Sequence, residues 1–205
     1  MSFKSALFGL SAAMTLTFAP VGLGARAADS ETAIFAGGCF WCVESDFDHV
    51  KGVTRTTSGY IGGKGDNPTY EDHSVAGFRE AVEIEFDPSV VSYEALLKTF
   101  FRTVDPTDSG GQFCDRGHSY TTAVYAVDDA QLAEAKEAKA EAGEALGKTI
   151  ATEIAPAPKF WPAEGYHQNY YERNPVRYKY YRYACGRDKR IENLWGKDAH
   201  FGVGS

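Results

Sequence analysis

The chain has 205 residues, a formal net charge of -7, and apolar and charged fractions of 43% and 24%. That balance excludes an intrinsically disordered chain and predicts a single hydrophobic core. The acidic excess argues against nucleic-acid binding. The one basic stretch, seven Lys and Arg residues between Arg173 and Arg190, reads as a solvated face.

In chain order, Lys4, the nearly uncharged apolar stretch from Ala6 to Val21 and the small-x-small triplet Ala25-Arg26-Ala27 predict a signal peptide over residues 1–27. Residues 28–205 then form a single domain, exported to the periplasm and with no membrane association once the signal is cleaved. Removing Lys4 and Arg26 leaves 19 basic against 28 acidic groups. Thr32 to Ala36 is a short apolar strand ended by Gly37-Gly38, and Cys39 to Val50 follows with helical spacing. Glu80 to Phe86 alternates and stops at Asp87-Pro88, which predicts a strand. Ser92 caps a helix that runs to Thr103. A strand over Tyr120 to Val127, a helix from Asp128-Asp129 to about Leu146 and a strand near Thr149 to Ile154 complete the regular elements. The segments from Ser58 to Gly77 and from Asp105 to Ser119 read as functional loops. This order predicts an α/β fold of the α+β sandwich kind, a mixed sheet with packed helices.

A cysteine placed after a strand and a Gly-Gly turn falls at the amino end of a helix. Free amide groups and the helix dipole there favour a thiolate, so Cys39 is a candidate nucleophile with a lowered pKa. Phe40 and Trp41 are candidate walls of an apolar pocket. Cys42 completes a Cys-x-x-Cys spacing, which is compatible with disulfide exchange or a metal pair. Glu80 shares strand parity with Val82, Ile84 and Phe86 and is expected to face their apolar side, where desolvation raises a carboxyl pKa.

Gly38-Cys39-Phe40-Trp41 resembles the active-site signature of the peptide methionine sulfoxide reductase A family. The likeness continues through Gly59 to Gly63, Asn67-Pro68-Thr69-Tyr70, Glu80-Ala81-Val82, Asp87-Pro88, Asp115 with Gly117 and Tyr120, and His167 to Tyr171. It implies a ferredoxin-like core with a long irregular C-terminal tail. It also implies an enzyme that reduces free or protein-bound methionine (S)-S-oxide through attack by Cys39, a sulfenic acid and an intramolecular disulfide. In that scheme Glu80 is the acid, Tyr70, Tyr120 and Asp115 complete the catalytic set, and Phe40, Trp41, His167 and Tyr170 bind substrate. Cys185 is favoured over Cys42 as the resolving thiol, with Cys114 behind both. No bound cofactor and no metal are expected, the partner is an external thioredoxin-like dithiol, and a monomer is expected. Cys42 and the pair Phe78-Arg79 depart from the residues common in the family at those positions.

The alternative function is a periplasmic thiol–disulfide oxidoreductase using Cys39 and Cys42, which leaves Glu80, Tyr70 and Tyr120 without a role. A zinc module built from Cys39, Cys42, Cys114 or Cys185, and His118 lacks a second tight ligand pair.

Overall fold

A computed structural model of the chain describes residues 30–204 and Met1, so the expected signal segment and its cleavage site lie outside the described residues. The elements are β1 (Glu31–Ala36), α1 (Phe40–Asp48), β2 (Val53–Ile61), β3 (Arg79–Phe86), α2 (Tyr93–Thr103), β4 (Gly111–Gln112), β5 (Asp115–Arg116), β6 (Ala123–Ala126), α3 (Asp129–Leu146), β7 (Glu153–Pro156), β8 (Trp161–Pro162), α4 (Tyr170–Arg173), α5 (Pro175–Ala184) and α6 (Arg187–Trp195). One sheet has the order β7-β6-β1-β3-β2-β8. Its four middle strands are antiparallel, while β7 runs parallel to β6. The crossovers β1-α1-β2 and β3-α2-β6 place α1 and α2 in the two positions of a ferredoxin-like core.

Period-two alternation sorts the strands between two apolar layers. Phe35, Val82, Ile84 and Phe86 pack with Phe40, Val43 and Phe47 of α1 and with Leu96, Leu97 and Phe100 of α2. Ile34, Ala36, Ile61, Ala81, Ala123 and Tyr125 fill the opposite face. Local signals close the helices. The Ser92 hydroxyl accepts the Ala95 amide at the start of α2, the Asp128 carboxylate accepts the Gln131 amide at the start of α3, and Gly147 ends α3 in the left-handed region.

Four expectations are corrected. Ser58 to Ile61 is the buried end of β2 and not part of a loop; the Thr-rich residues that precede it in β2 carry no apolar alternation, and pairing with β3 makes the whole segment a strand. The strand expected over Tyr120 to Val127 is confined to Ala123–Ala126, because Gly117, at φ 114°, opens a 3₁₀ turn over His118–Tyr120. The C-terminal region carries three short helices, with Pro175 at the first turn of α5, instead of running on as an irregular tail. Nor are all its basic residues solvated: Arg182 pairs with Asp46 and Asp188, each at 2.7 Å, and buried Arg187 donates to the carbonyls of Gly37 and Thr103.

The turn from β1 into α1 depends on Gly38, which sits at φ 86° with its Cα so close to Gln112 that an added Cβ would lie 2.6 Å from the Gln112 Cβ. Gly38→Ala combines about 1–2 kcal/mol of left-handed strain with that overlap. It is expected to lower the urea midpoint and reduce turnover together, since Cys39 is the next residue.

Candidate functional site

The Gly37-Gly38 turn delivers Cys39 to the N-cap position of α1, where its carbonyl accepts the amides of Cys42 and Val43 at 3.1 and 3.4 Å. Its side chain is largely buried. It opens on a cleft of about 60 Å³ lined by Cys39, Phe40, Trp41, Tyr70, Glu80, Asp115, Tyr120 and Tyr181. Seven of these eight residues are expected from the sequence; only Tyr181 is not. Phe40 serves the apolar core as well as the cleft, so pocket wall and core packing are one role there.

Glu80 enters from β3 on the helix-covered face, as its parity requires. Its Oε2 accepts the Phe40 amide at 2.9 Å. The first free amide of α1 is therefore taken by a carboxyl group and not by the Cys39 sulfur. Burial pushes Glu80 up to about 8 despite that hydrogen bond, and Asp115 and Cys42 add like charge nearby. Such a group holds its proton at neutral pH.

The expectation of a lowered Cys39 pKa is overturned. Burial raises it first, and its contacts with Cys42 and Glu80 raise it further. The neighbouring Cys42 is lowered, through its hydrogen bond with Cys39 and through the field of Arg187 and Arg182. Within the pair Cys42 is thus the more easily ionised sulfur. Helix-end position alone does not decide a thiol's charge once water is excluded and the helix amide is engaged elsewhere.

The aromatic residues divide into two groups. Tyr70 and Tyr120 reach the cleft from separate segments, and burial raises both phenols, which keeps them proton donors. His167 and Tyr170 do not line it; they sit behind Trp41. The Trp41 indole N–H donates to His167 Nδ1 at 3.0 Å, and the Tyr170 ring stacks on Trp41 at 3.7 Å and 6°. They hold a wall instead of forming one.

Two residues of the site have no helix- or strand-period signal. The Tyr181 hydroxyl donates to Asp115 Oδ2 and meets the Cys39 sulfur, and burial raises its pKa. His73 is buried beside Glu80, with Nε2 3.8 Å from Oε1. Its only local clue is that it follows Tyr70 by three residues. Cys185 is joined to Cys114 in a disulfide, whereas Cys39 and Cys42 are free and buried. The disulfide fixes the end of α5, which carries Tyr181, to the segment that carries Asp115.

With this geometry in hand, the family model for peptide methionine sulfoxide reductase matches residues 31–199. The chain belongs to that family. Peptide methionine sulfoxide reductase MsrA 2 of Rhizobium meliloti (strain 1021) is 58% identical over 181 residues, 88% of this chain and 91% of that protein. The reduced form of Mxr1 from Saccharomyces cerevisiae matches with a TM-score of 0.69 and 32% identity over 73% of this chain and 88% of that one. Mxr1 in complex with Trx2 matches with a TM-score of 0.50 and 25% identity, covering 76% of this chain and 90% of that one. The chain is an oxidoreductase of the methionine sulfoxide reductase class, and a general disulfide exchanger is not favoured: such an activity needs neither the buried acid nor the phenols.

The raised Glu80 pKa has two measurable consequences. A role for Glu80 as proton donor predicts an alkaline limb of kcat/KM near pH 8 that Glu80→Gln abolishes, along with roughly 10²–10⁴-fold of the rate. Its folded pKa stands above its unfolded one, so its ionisation lowers stability as pH rises from the ordinary carboxylate range, and the loss levels off past the folded value. The melting temperature of Glu80→Gln is therefore expected to gain on the wild type between about pH 5 and about pH 9, measured by thermal scans at fixed ionic strength.

Proposed function

We propose that the chain is a peptide-methionine (S)-S-oxide reductase, with Cys39 as nucleophile, Glu80 as acid and Cys42 as resolving thiol. The observation that carries this reading is the common cleft of a thiol, a protonated carboxyl, three phenols and two aromatic walls. The sulfoxide oxygen is placed toward Glu80, Tyr70 and Tyr120, and its methyl group against Phe40 and Trp41. Cys39 attacks sulfur while Glu80 gives its proton to oxygen and recovers the one that leaves Cys39. Methionine departs, and Cys39 carries the hydroxyl as a sulfenic acid. The Cys42 thiolate then attacks the Cys39 sulfur; the S–S bond forms, the S–O bond breaks, and Glu80 protonates the departing hydroxyl to water.

The preference for Cys185 as resolver is replaced for a specific reason. Its sulfur is bonded to Cys114, while Cys42 is hydrogen-bonded to Cys39 and polarised by Arg182 and Arg187. A thioredoxin-like dithiol reduces the Cys39–Cys42 bond, a role supported by the solved Mxr1 complex with Trx2. Substrates are oxidised proteins or free methionine sulfoxide. Export to the periplasm is supported by the sequence of residues 1–27 and by the Cys114–Cys185 disulfide, which suits an oxidising compartment.

Separate assays on the two epimers of a methionine sulfoxide compound test the reaction. Turnover is expected for the S epimer alone and is expected to vanish in Cys39→Ser; reduction of disulfides without sulfoxide turnover would reject the reading. After one sulfoxide equivalent, peptide mapping should find Cys39 joined to Cys42. Cys42→Ser should complete its first turnover and then stop with thioredoxin as reductant, whereas a Cys114→Ser/Cys185→Ser double variant should continue. A Cys39–Cys185 product would restore the other resolver.

A further inference from the structure

His73 lies outside the catalytic set proposed above, and its surroundings are unusually constrained. The imidazole is packed between the rings of Tyr60, at 4.8 Å and 24°, and Tyr70, at 5.7 Å and 28°. Its Nδ1 lies 2.9 Å from the Tyr70 carbonyl oxygen. A carbonyl can only accept, so Nδ1 carries the hydrogen, and in the neutral ring Nε2 is left as an acceptor. That nitrogen is buried without a hydrogen-bond partner. The group it faces is Glu80 Oε1 at 3.8 Å, with side-chain exposures of 4% for His73 and 2% for Glu80.

Glu80 is constrained in the complementary sense. Its Oε2 accepts the Phe40 amide. In the neutral acid the proton therefore resides on Oε1, the oxygen turned toward His73. An orphaned acceptor and a protonated oxygen stand just beyond hydrogen-bond distance, and a small rotation of the carboxyl brings them together.

We propose that His73 is a positioning residue for the reduction, whose Nε2 accepts the Oε1–H of Glu80 and holds that proton in the orientation from which the sulfoxide oxygen takes it. The proposal rests on Glu80 as the acid. It involves no bond change at His73: the proton passes from Glu80 to oxygen. The titratable groups that face the pair are Tyr60 from β2, Tyr70 from the loop before β3, Cys39 and Cys42 from α1, Asp115 from β5, Tyr120 from the 3₁₀ turn and His167 ahead of α4. The carboxylates, thiolates and phenolates among them carry negative charge when ionised and so favour the neutral acid; Nε2 is the acceptor that also fixes its direction.

Two substitutions separate the halves of the imidazole. His73→Asn keeps a donor for the Tyr70 carbonyl and removes the acceptor facing Glu80, while His73→Gln restores an acceptor at the Nε2 position. With (S)-methionine sulfoxide and dithiothreitol, His73→Asn is expected to lower kcat roughly 10- to 100-fold at an unchanged KM. Its alkaline limb should move to lower pH, because an acceptor for the neutral acid has been lost. His73→Gln is expected to return the limb to its wild-type position and recover most of kcat. Melting temperatures of both variants check the fold, and if His73→Asn does not fold, the limb of His73→Gln alone decides. A wild-type kcat and pH profile in His73→Asn, or a displaced limb in His73→Gln, overturns the role of His73 while leaving Glu80 as acid intact. Absence of sulfoxide turnover in the wild type overturns both.

Discussion

One hydrogen bond organises this molecule: the amide of Phe40, at the first turn of α1, donated to the Glu80 carboxyl at the start of β3. A helix amino end buried against a sheet leaves amide groups that must find acceptors. A carboxyl taken out of water must find donors or stay protonated. The contact answers both demands and also gives the acid a direction, because one oxygen is occupied as acceptor and the other is left to carry the proton. The same interaction thus ties α1 to the sheet and sets the chemistry of the cleft.

The C-terminal helices support that arrangement from behind. Tyr170 and His167 fix the Trp41 indole by stacking and by a hydrogen bond, Tyr178 packs against Cys42, and Tyr181 joins Asp115 at the cleft. Arg182 and Arg187 approach Asp46, one helical turn beyond Cys42. The hydrogen bond with Cys39 lowers the Cys42 thiol first, and these buried cations lower it further. A region rich in Tyr and Arg carries little helical periodicity, yet it determines how the two cysteines differ.

Where local pattern and tertiary environment agree, the sequence was legible. The apolar run of β1, the Gly-Gly turn and the alternation of β3 place Cys39 and Glu80 at one cleft, and Ser92 and Asp128 mark their helices. β2 was not legible, because a Thr-rich strand becomes a strand only through its partner. Tyr181 and His73 were missed for a related reason. Each comes from a segment distant from Cys39, and nothing in a sequence window records which distant groups a side chain will face. The charge of Cys39 was misjudged because helix-end position can be read along the chain, whereas burial and the competing claim of Glu80 on the helix amide cannot.

That misjudgement has a chemical counterpart. Reducing a sulfoxide to a sulfide with two thiols releases one water, and that water needs two protons. In the proposed reaction Cys39 and Glu80 supply them, and Cys42, the more easily ionised sulfur of the pair, closes the disulfide. In that proposal the Cys39 proton passes to Glu80 when the sulfenic acid forms, and Glu80 delivers it again when Cys42 closes the disulfide, so the balance is met without a proton from solvent. Burial of Cys39 and the cations around Cys42 are two parts of one proton arrangement.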